Sequence, residues 1–241
     1  MTSLQKPKAW NLSPQATQAP ELWRHAKSVQ PFWNNGRVTD IVQNKDYPIT
    51  TSMSFIFSEV GRALRIKEGA VNTTGINIPM ISGKVYTYLV YFVGFNAGSN
   101  NNEFKAEFTG HVDSGNNDGL KLSINQGGKL FMLTLGGNTN GSTSIVVDDG
   151  KPHAAAVVFD MADGRAVQII DGVLDLDASY TDTSSRSDAI FGISPQGSGS
   201  GNLSAVDVIT QTMIETDSQL SHDVLKNWTL DPFAMLRPAG F

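Results

Sequence analysis

The chain has no cysteine. Disulfide frameworks, thiolate zinc sites and cysteine nucleophiles are therefore excluded together. Basic charge is also scarce: 18 Lys and Arg stand against 23 Asp and Glu, for a formal net charge of −5. No basic field gathers a phosphate backbone, so nucleic acid is not an expected partner. No apolar run approaches the ~18 residues of a membrane span, and no membrane partner is expected. Behind Lys6 and Lys8 the chain is broken by Pro7, Pro14 and Pro20, so no secretory leader is read and assembly in the cytoplasm is the expectation. Charged residues make up only 17% of the 241, while 40% are hydrophobic, ample for a core. What the chain does have is turn formers, 23 Gly and 10 Pro, the composition of a β-rich domain with many tight turns.

Residues 1–33 show no period of 2 or 3.6 and read as an extended arm, with Trp10, Trp23 and Trp33 as its large apolar groups and at most a short helix behind Pro20. Residues 34–241 read as one domain. From about Ser54 onward, short apolar runs alternate with Gly, Asn, Asp and Ser clusters, at the spacing of a sandwich or barrel. Val85 to Phe95 is apolar on both faces and reads as a central strand. Phe104 to Val112 alternates with Lys105, Glu107, Thr109 and His111, which puts His111 on the polar side. Further strands are expected at Ser54 to Val60, Arg62 to Lys67, Leu120 to Asn125, Lys129 to Leu135, Thr143 to Val147, His153 to Phe159, Ala166 to Ile170, Val173 to Ala178, Ala189 to Ile193 and Ala205 to Thr212. Asp171-Gly172 between two of them signals a two-residue hairpin. One helix is expected after Ser221 as its cap, with Leu220, Val224, Leu225 and Trp228 as its apolar stripe and Pro232 as its stop.

This order of segments resembles the laminin G-like or concanavalin A-like jelly rolls. The matching pieces are Gly61 to Ile66, Asp149-Gly150-Lys151-Pro152-His153 before Ala154 to Phe159, Ile170-Asp171-Gly172-Val173, Ala189 to Ile193 and the closing helix. Where that family has a Trp ahead of its His, this chain has Pro152, and a lost core aromatic is the expected consequence. Asp231 to Pro238 is similar to the closing sequence of such domains in tailed-bacteriophage proteins. The resemblance implies an all-β jelly-roll sandwich with an N-terminal arm and one C-terminal helix.

Candidate chemistry divides three ways. A retaining glycosidase needs two carboxylates about 5 Å apart, and the nearest approach to a one-strand E-x-D-x-x-E pattern is Glu215-Thr216-Asp217, with Leu220 where the last carboxylate belongs. His25, His111, His153 and His222 show no metal-ligand spacing. On these grounds the chain is expected not to be an enzyme, and no cofactor is expected. Asp113 and Asp118, in an Asn- and Gly-rich loop, are candidate Ca²⁺ ligands set against a plain turn. For a glycan, His111, Asn116, Asn117 and Asp118 are the candidate contacts. Trp10, Trp23 and Trp33 are the candidate anchors to a partner protein.

Together these readings give a structural virion protein of a tailed phage. A capsid decoration or cement protein is preferred, with the major capsid protein, further copies of itself (a homo-oligomer such as a trimer) and a surface glycan as partners. The alternatives are a tail- or fibre-associated receptor-binding or carbohydrate-binding module and, behind it, a polysaccharide-acting enzyme.

Overall fold

A computed structural model describes residues 19–31, 37–48, 53–58, 60–66, 74–95, 104–113, 119–125, 127–135, 139–140, 144–193 and 206–236. In chain order these form helix α1 (Pro20–Trp23) and strands β1 (Ala26–Pro31), β2 (Arg37–Asp40), β3 (Lys45–Pro48), β4 (Met53–Ser58), β5 (Gly61–Ile66), β6 (Thr74–Asn77), β7 (Val85–Phe95) and β8 (Phe104–Asp113). There follow β9 (Gly119–Asn125), β10 (Leu130–Leu133), β11 (Thr139–Asn140), β12 (Asp149–Asp160), β13 (Arg165–Ile170), β14 (Val173–Ser179), β15 (Ala189–Ile193), β16 (Val206–Thr216) and helix α2 (His222–Leu230). Among the described residues the strands pair as an eight-stranded sheet, β14-β13-β12-β7-β16-β5-β4 with β1 also on β16, a six-stranded sheet, β11-β10-β9-β8-β15-β6, and the hairpin β2-β3. Every pairing is antiparallel, as hairpin-rich sandwiches require.

The expected central strand is found with its expected bounds. Every second residue of β7, from Tyr86 through Tyr88 and Val90 to Phe92, enters the core between the sheets. There they meet Val157 and Phe159 of the larger sheet and Leu120, Leu122, Met132 and Phe191 of the smaller one. The opposite face of β7 is covered too: Val85 and Leu89, with Ala154, Ala156, Val158, Val167 and Ile169, pack under α1 and α2. Val85–Phe95 can be apolar throughout because each side has its own dry layer.

Helix α2 forms as its sequence dictates. The Ser221 hydroxyl accepts a hydrogen bond from Val224 N at 3.3 Å, Asp223 sits in the first turn, and the helix ends ahead of Pro232. Leu225 and Trp228 are buried on the sheet, with Leu220 and Val224 at the margin of the same cluster. The Asp171-Gly172 hairpin likewise forms, with φ of 49° and 83°, the left-handed pair that a two-residue turn between twisted strands needs.

The N-terminal reading needs correction. Residues 26–31, assigned to the arm, form β1 and pair with β16 from Ala26↔Ile214 to Pro31↔Thr210. Trp23 is 8% exposed and lies in the layer under α2, so its side chain serves the chain's own core and is not offered to a partner. Trp10 and Trp33 lie outside the described residues. The polar residues of β1 hid its period because they too are buried. The Ser28 hydroxyl donates to Asp40, Gln30 Nε2 donates to Ser28 at 3.0 Å, and Gln211 Nε2 donates to Gln30 Oε1 at 2.7 Å. Burial holds the Asp40 carboxyl above its ordinary pKa despite these bonds.

At Ile209 β16 carries one extra residue, a bulge, just where its outer neighbour changes from β5 to β1. Residues 143–147 do not make the expected strand among the described residues; Val146 contributes an isolated bridge to Lys129.

Candidate binding surface

The outer face of the larger sheet is not uniformly covered. Beyond α2 it carries a separate apolar cluster of Ala63, Val93 and Ile209, bordered by half-buried Ile56, Val60, Tyr91, Phe95 and Phe233. Strand alternation places these side chains together. Arg65, opposite Asp207 on β16, shares the outer face with Val93, opposite Asp207 on β7, and with Pro152, opposite Val93 on β12. Tyr91 lies two residues along β7, between Thr210 and Ala154. The turn after α2 lays Phe233 edge-on against Tyr91, ring centroids 5.3 Å apart.

One end of this strip is an ion pair. Arg65 Nε and Nη2 donate to the two carboxylate oxygens of Asp207 at 2.7 and 2.8 Å, and the guanidinium stacks on Phe95 with its carbon 5.1 Å from the ring centroid. The Asp207 side chain is completely buried while that of Arg65 is 33% exposed, so the arginine fork is the part that meets solvent.

At the other end stands Asp171, in the hairpin turn. Its Oδ1 accepts from Ala154 N at 2.9 Å and its Oδ2 receives His153 Nδ1 at 2.6 Å. His153 Nε2 donates at 3.1 Å to Asp149, which also accepts from Lys151 N at 2.9 Å. With a carboxylate on each ring nitrogen, His153 must donate from both, the form the imidazolium supplies. Burial alone would lower its pKa; the hydrogen bonds and charges of Asp171 and Asp149 outweigh that and raise it. Asp149 moves the other way: burial pushes its carboxyl up, but Lys151 and His153 bring it down to about 2. This clasp is the chemistry of the Asp149-to-His153 motif: it ties the β12 entry to the β13–β14 hairpin. Asp171 stands opposite Ala154, exchanging backbone and side-chain hydrogen bonds with it at 3.0 and 2.9 Å, and Ala154 is the β12 partner of Tyr91, so the turn borders the strip; burial and the Asp171 charge both raise the Tyr91 phenol.

The earlier site expectations fare differently. His111 is wholly buried, paired across the sheet with Leu120 and Phe191 and edge-on to Tyr86 at 5.2 Å. The bulge between Glu107 and Thr109 shifts the alternation by one residue ahead of His111, and its partners Leu120 and Phe191, both core residues, fix it on the inner face. Desolvation lowers its pKa to about 4 against the pull of its bond to Ile78 O, so it is a neutral core residue and cannot contact a glycan. Tyr86 and Tyr88 face the same core. Asn116, Asn117 and Asp118 lie outside the described residues, as do the loop residues that would test Asp113 as a Ca²⁺ ligand. No group of three His, Asp or Glu side chains arranged to hold a metal ion occurs among the described residues. Glu215 and Asp217 are engaged by Lys27, at 3.4 Å, and by Lys84. Pro152 is exposed on the outer face, so the Trp-to-Pro departure removes no core aromatic.

No protein-family model matches the chain, and no curated protein matches it. Solved structures do. A Trypanosoma rangeli sialidase in complex with sialic acid matches 88% of this chain at 11% identity with a TM-score of 0.62, over 34% of its own length. The binding domain of Paraclostridial Mosquitocidal Protein 1 matches 87% at 13% identity and TM-score 0.61, over 53% of that chain. The botulinum neurotoxin serotype G binding domain matches 85% at 13% identity and TM-score 0.56, over 50% of that chain. The chain thus spans between a third and about half the length of these three solved chains. The presence of sialidases among them overturns the step from a broken carboxylate motif to the absence of an enzyme: this fold occurs within hydrolase chains, and the missing motif excludes nothing. At these identities the likeness establishes the fold, a jelly-roll-like β-sandwich of the kind found within sialidases and toxin binding domains.

Proposed function

We propose that this chain is a carbohydrate-binding β-sandwich module and that the strip from Arg65 to Tyr91 is its binding surface. The observation that carries the reading is the combination of half-buried aromatic rings with an arginine–carboxylate pair on one sheet face. Ring faces stack on the C–H faces of sugars, and charged or amide groups fix their hydroxyls. That solved structures of the same fold include a sialidase holding sialic acid and two toxin binding domains supports a recognition role. The test is a glycan array probed with the intact chain, followed by calorimetry on the strongest hit. Reproducible, saturable binding supports the module, and an array blank at high protein concentration rejects it.

The virion setting rests on the closing sequence Asp231 to Pro238. Phe233, Met235 and Leu236 of that sequence pack against the outer face of the larger sheet, a role they would keep in any setting. Self-association, a capsid partner and Ca²⁺ at Asp113 and Asp118 are proposals of the same standing; sedimentation, particle binding and thermal shift with calcium against chelator test them in turn.

A further inference from the structure

We infer that the outer-face strip takes a neutral linear oligosaccharide laid across the strands, with one end at Arg65 and the other at Asp171. This rests on the carbohydrate-binding reading above and assigns its substrate class. The strip crosses β5, β16, β7 and β12 and reaches the turn behind β13, four strand spacings or about 19 Å. That is several pyranose rings, not one. Its accessible groups are half-buried Phe95 beside the Arg65 guanidinium, exposed Pro152 next to buried Val93, and half-buried Tyr91 walled by Phe233. The ends differ in hydrogen-bonding sense. Arg65 offers donors that its bonds to Asp207 leave over. Asp171, 41% exposed, offers acceptor capacity beyond its bonds to Ala154 and His153. Sugar hydroxyls accept from the first and donate to the second.

Charge selects the neutral class. The positive charge of Arg65 is offset by a fully buried carboxylate in bidentate contact. At the far end Asp171 and Asp149 share the His153 imidazolium, and Lys151 Nζ lies 3.1 Å from Asp149, so neither end carries an uncompensated charge to hold an ionic sugar, and the formal net charge of −5 disfavours an anionic one.

Calorimetry on the intact chain tests this. The probes are cello-, malto- and N-acetylchito-oligosaccharides of one to six units, together with lactose and sialyllactose. The expected result is one series whose affinity rises at least tenfold from the monosaccharide to the tetrasaccharide and then levels off, with sialyllactose no tighter than lactose. Tyr91→Ala and Arg65→Gln should each weaken the tetrasaccharide at least tenfold. Arg65→Lys keeps a cation against Asp207 while losing the fork, and should weaken it as well if the glutamine variant fails to fold. Phe57→Ala, at an 81% exposed ring on the inner-facing side of β4, should leave affinity unchanged. Equal affinity for mono- and tetrasaccharide, preference for sialyllactose, or folded Tyr91 and Arg65 variants that bind like the parent each overturn the inference while leaving the module a glycan binder. Absence of binding to every probe and to the array rejects both.

Discussion

Along β7 the outward-facing residues Val85 and Leu89 lie beneath α1 and α2, while Tyr91, Val93 and Phe95, on the same face of the same strand, lie beside Arg65 and Pro152. The first half is finished with aliphatic groups and two tryptophans, Trp23 and Trp228, at 8% and 3% exposure. The second is finished with half-buried rings and an ion pair, and no helix covers it among the described residues. Alternation brings both sets to one side of the sheet, and what differs is the second layer. Stability alone is served by the covered half. A half-buried aromatic border beside a charged pair, set around the buried Ala63, Val93 and Ile209, is suited to a ligand.

Four changes break or sharpen that comparison. The largest effect belongs to deletion of residues 1–31, which strips α1 and β1, uncovers Ile214 and leaves Asp40 and Gln211 without their partners Ser28 and Gln30. The truncated chain should lose its cooperative thermal transition in circular dichroism; a sharp transition near that of the full chain would show that the covered half does not need this layer. Trp228→Ala should cost about 3–5 kcal/mol and lower Tm by roughly 6–20 °C in a scanning calorimeter. A change within error would mean that α2 contributes no packing.

The His153 clasp borders both halves, and its loss is smaller. His153→Ala removes charged donors from two carboxylates and should cost about 1–3 kcal/mol. Because the His153 pKa is raised, its contribution is complete below the ordinary histidine value and is lost as pH rises through the raised one. Because that of Asp149 is lowered, its contribution is present above the ordinary carboxylate value and is lost as pH falls towards about 2. The Tm difference between parent and His153→Ala should therefore shrink from pH 6 to pH 9, and a constant difference would place the imidazole outside the titration. The smallest effect on stability is expected in the open half. Tyr91→Ala forfeits its edge-on pair with Phe233, about 1 kcal/mol, together with the burial of half a ring, and should cost less than Trp228→Ala while abolishing most of the glycan affinity. A loss as large as that at Trp228 would make the strip a second core.

Much of this architecture was legible in the residues. Val85–Phe95 and Ala189–Ile193 are recoverable to the residue because their apolar runs end in turn formers, and Asp171-Gly172 announces its own geometry. β1 was not legible, since Ser28 and Gln30 are polar yet buried, and only Asp40 and Gln211, distant in sequence, explain why. His111 was misplaced because a period of 2 carries no record of a bulge. The strip was harder still: Arg65, Tyr91, Phe95, Pro152, Asp171, Asp207 and Phe233 come from separate segments, and no local motif joins them. A partial signal existed in Tyr91 and Phe95, aromatic at the outward positions of a strand whose inward positions already supply the core.

The bulge at Ile209 has a meaning in time as well as in space. It marks the point where a strand near the end of the chain stops pairing with β5 and begins pairing with β1, some of the first described residues. During synthesis β7, whose two partners both come later in the chain, emerges with both backbone edges bare; the edge toward β12 can pair once residue 160 is out, the edge toward β16 only once residue 216 has left the ribosome. Until then its apolar edge is open to wrong partners, which a chain with such distant pairings meets slowly folding and exposed. Production of this protein should be limited by that interval, so slower growth at lower temperature or a trigger-type chaperone should raise its soluble yield more than any change to its surface.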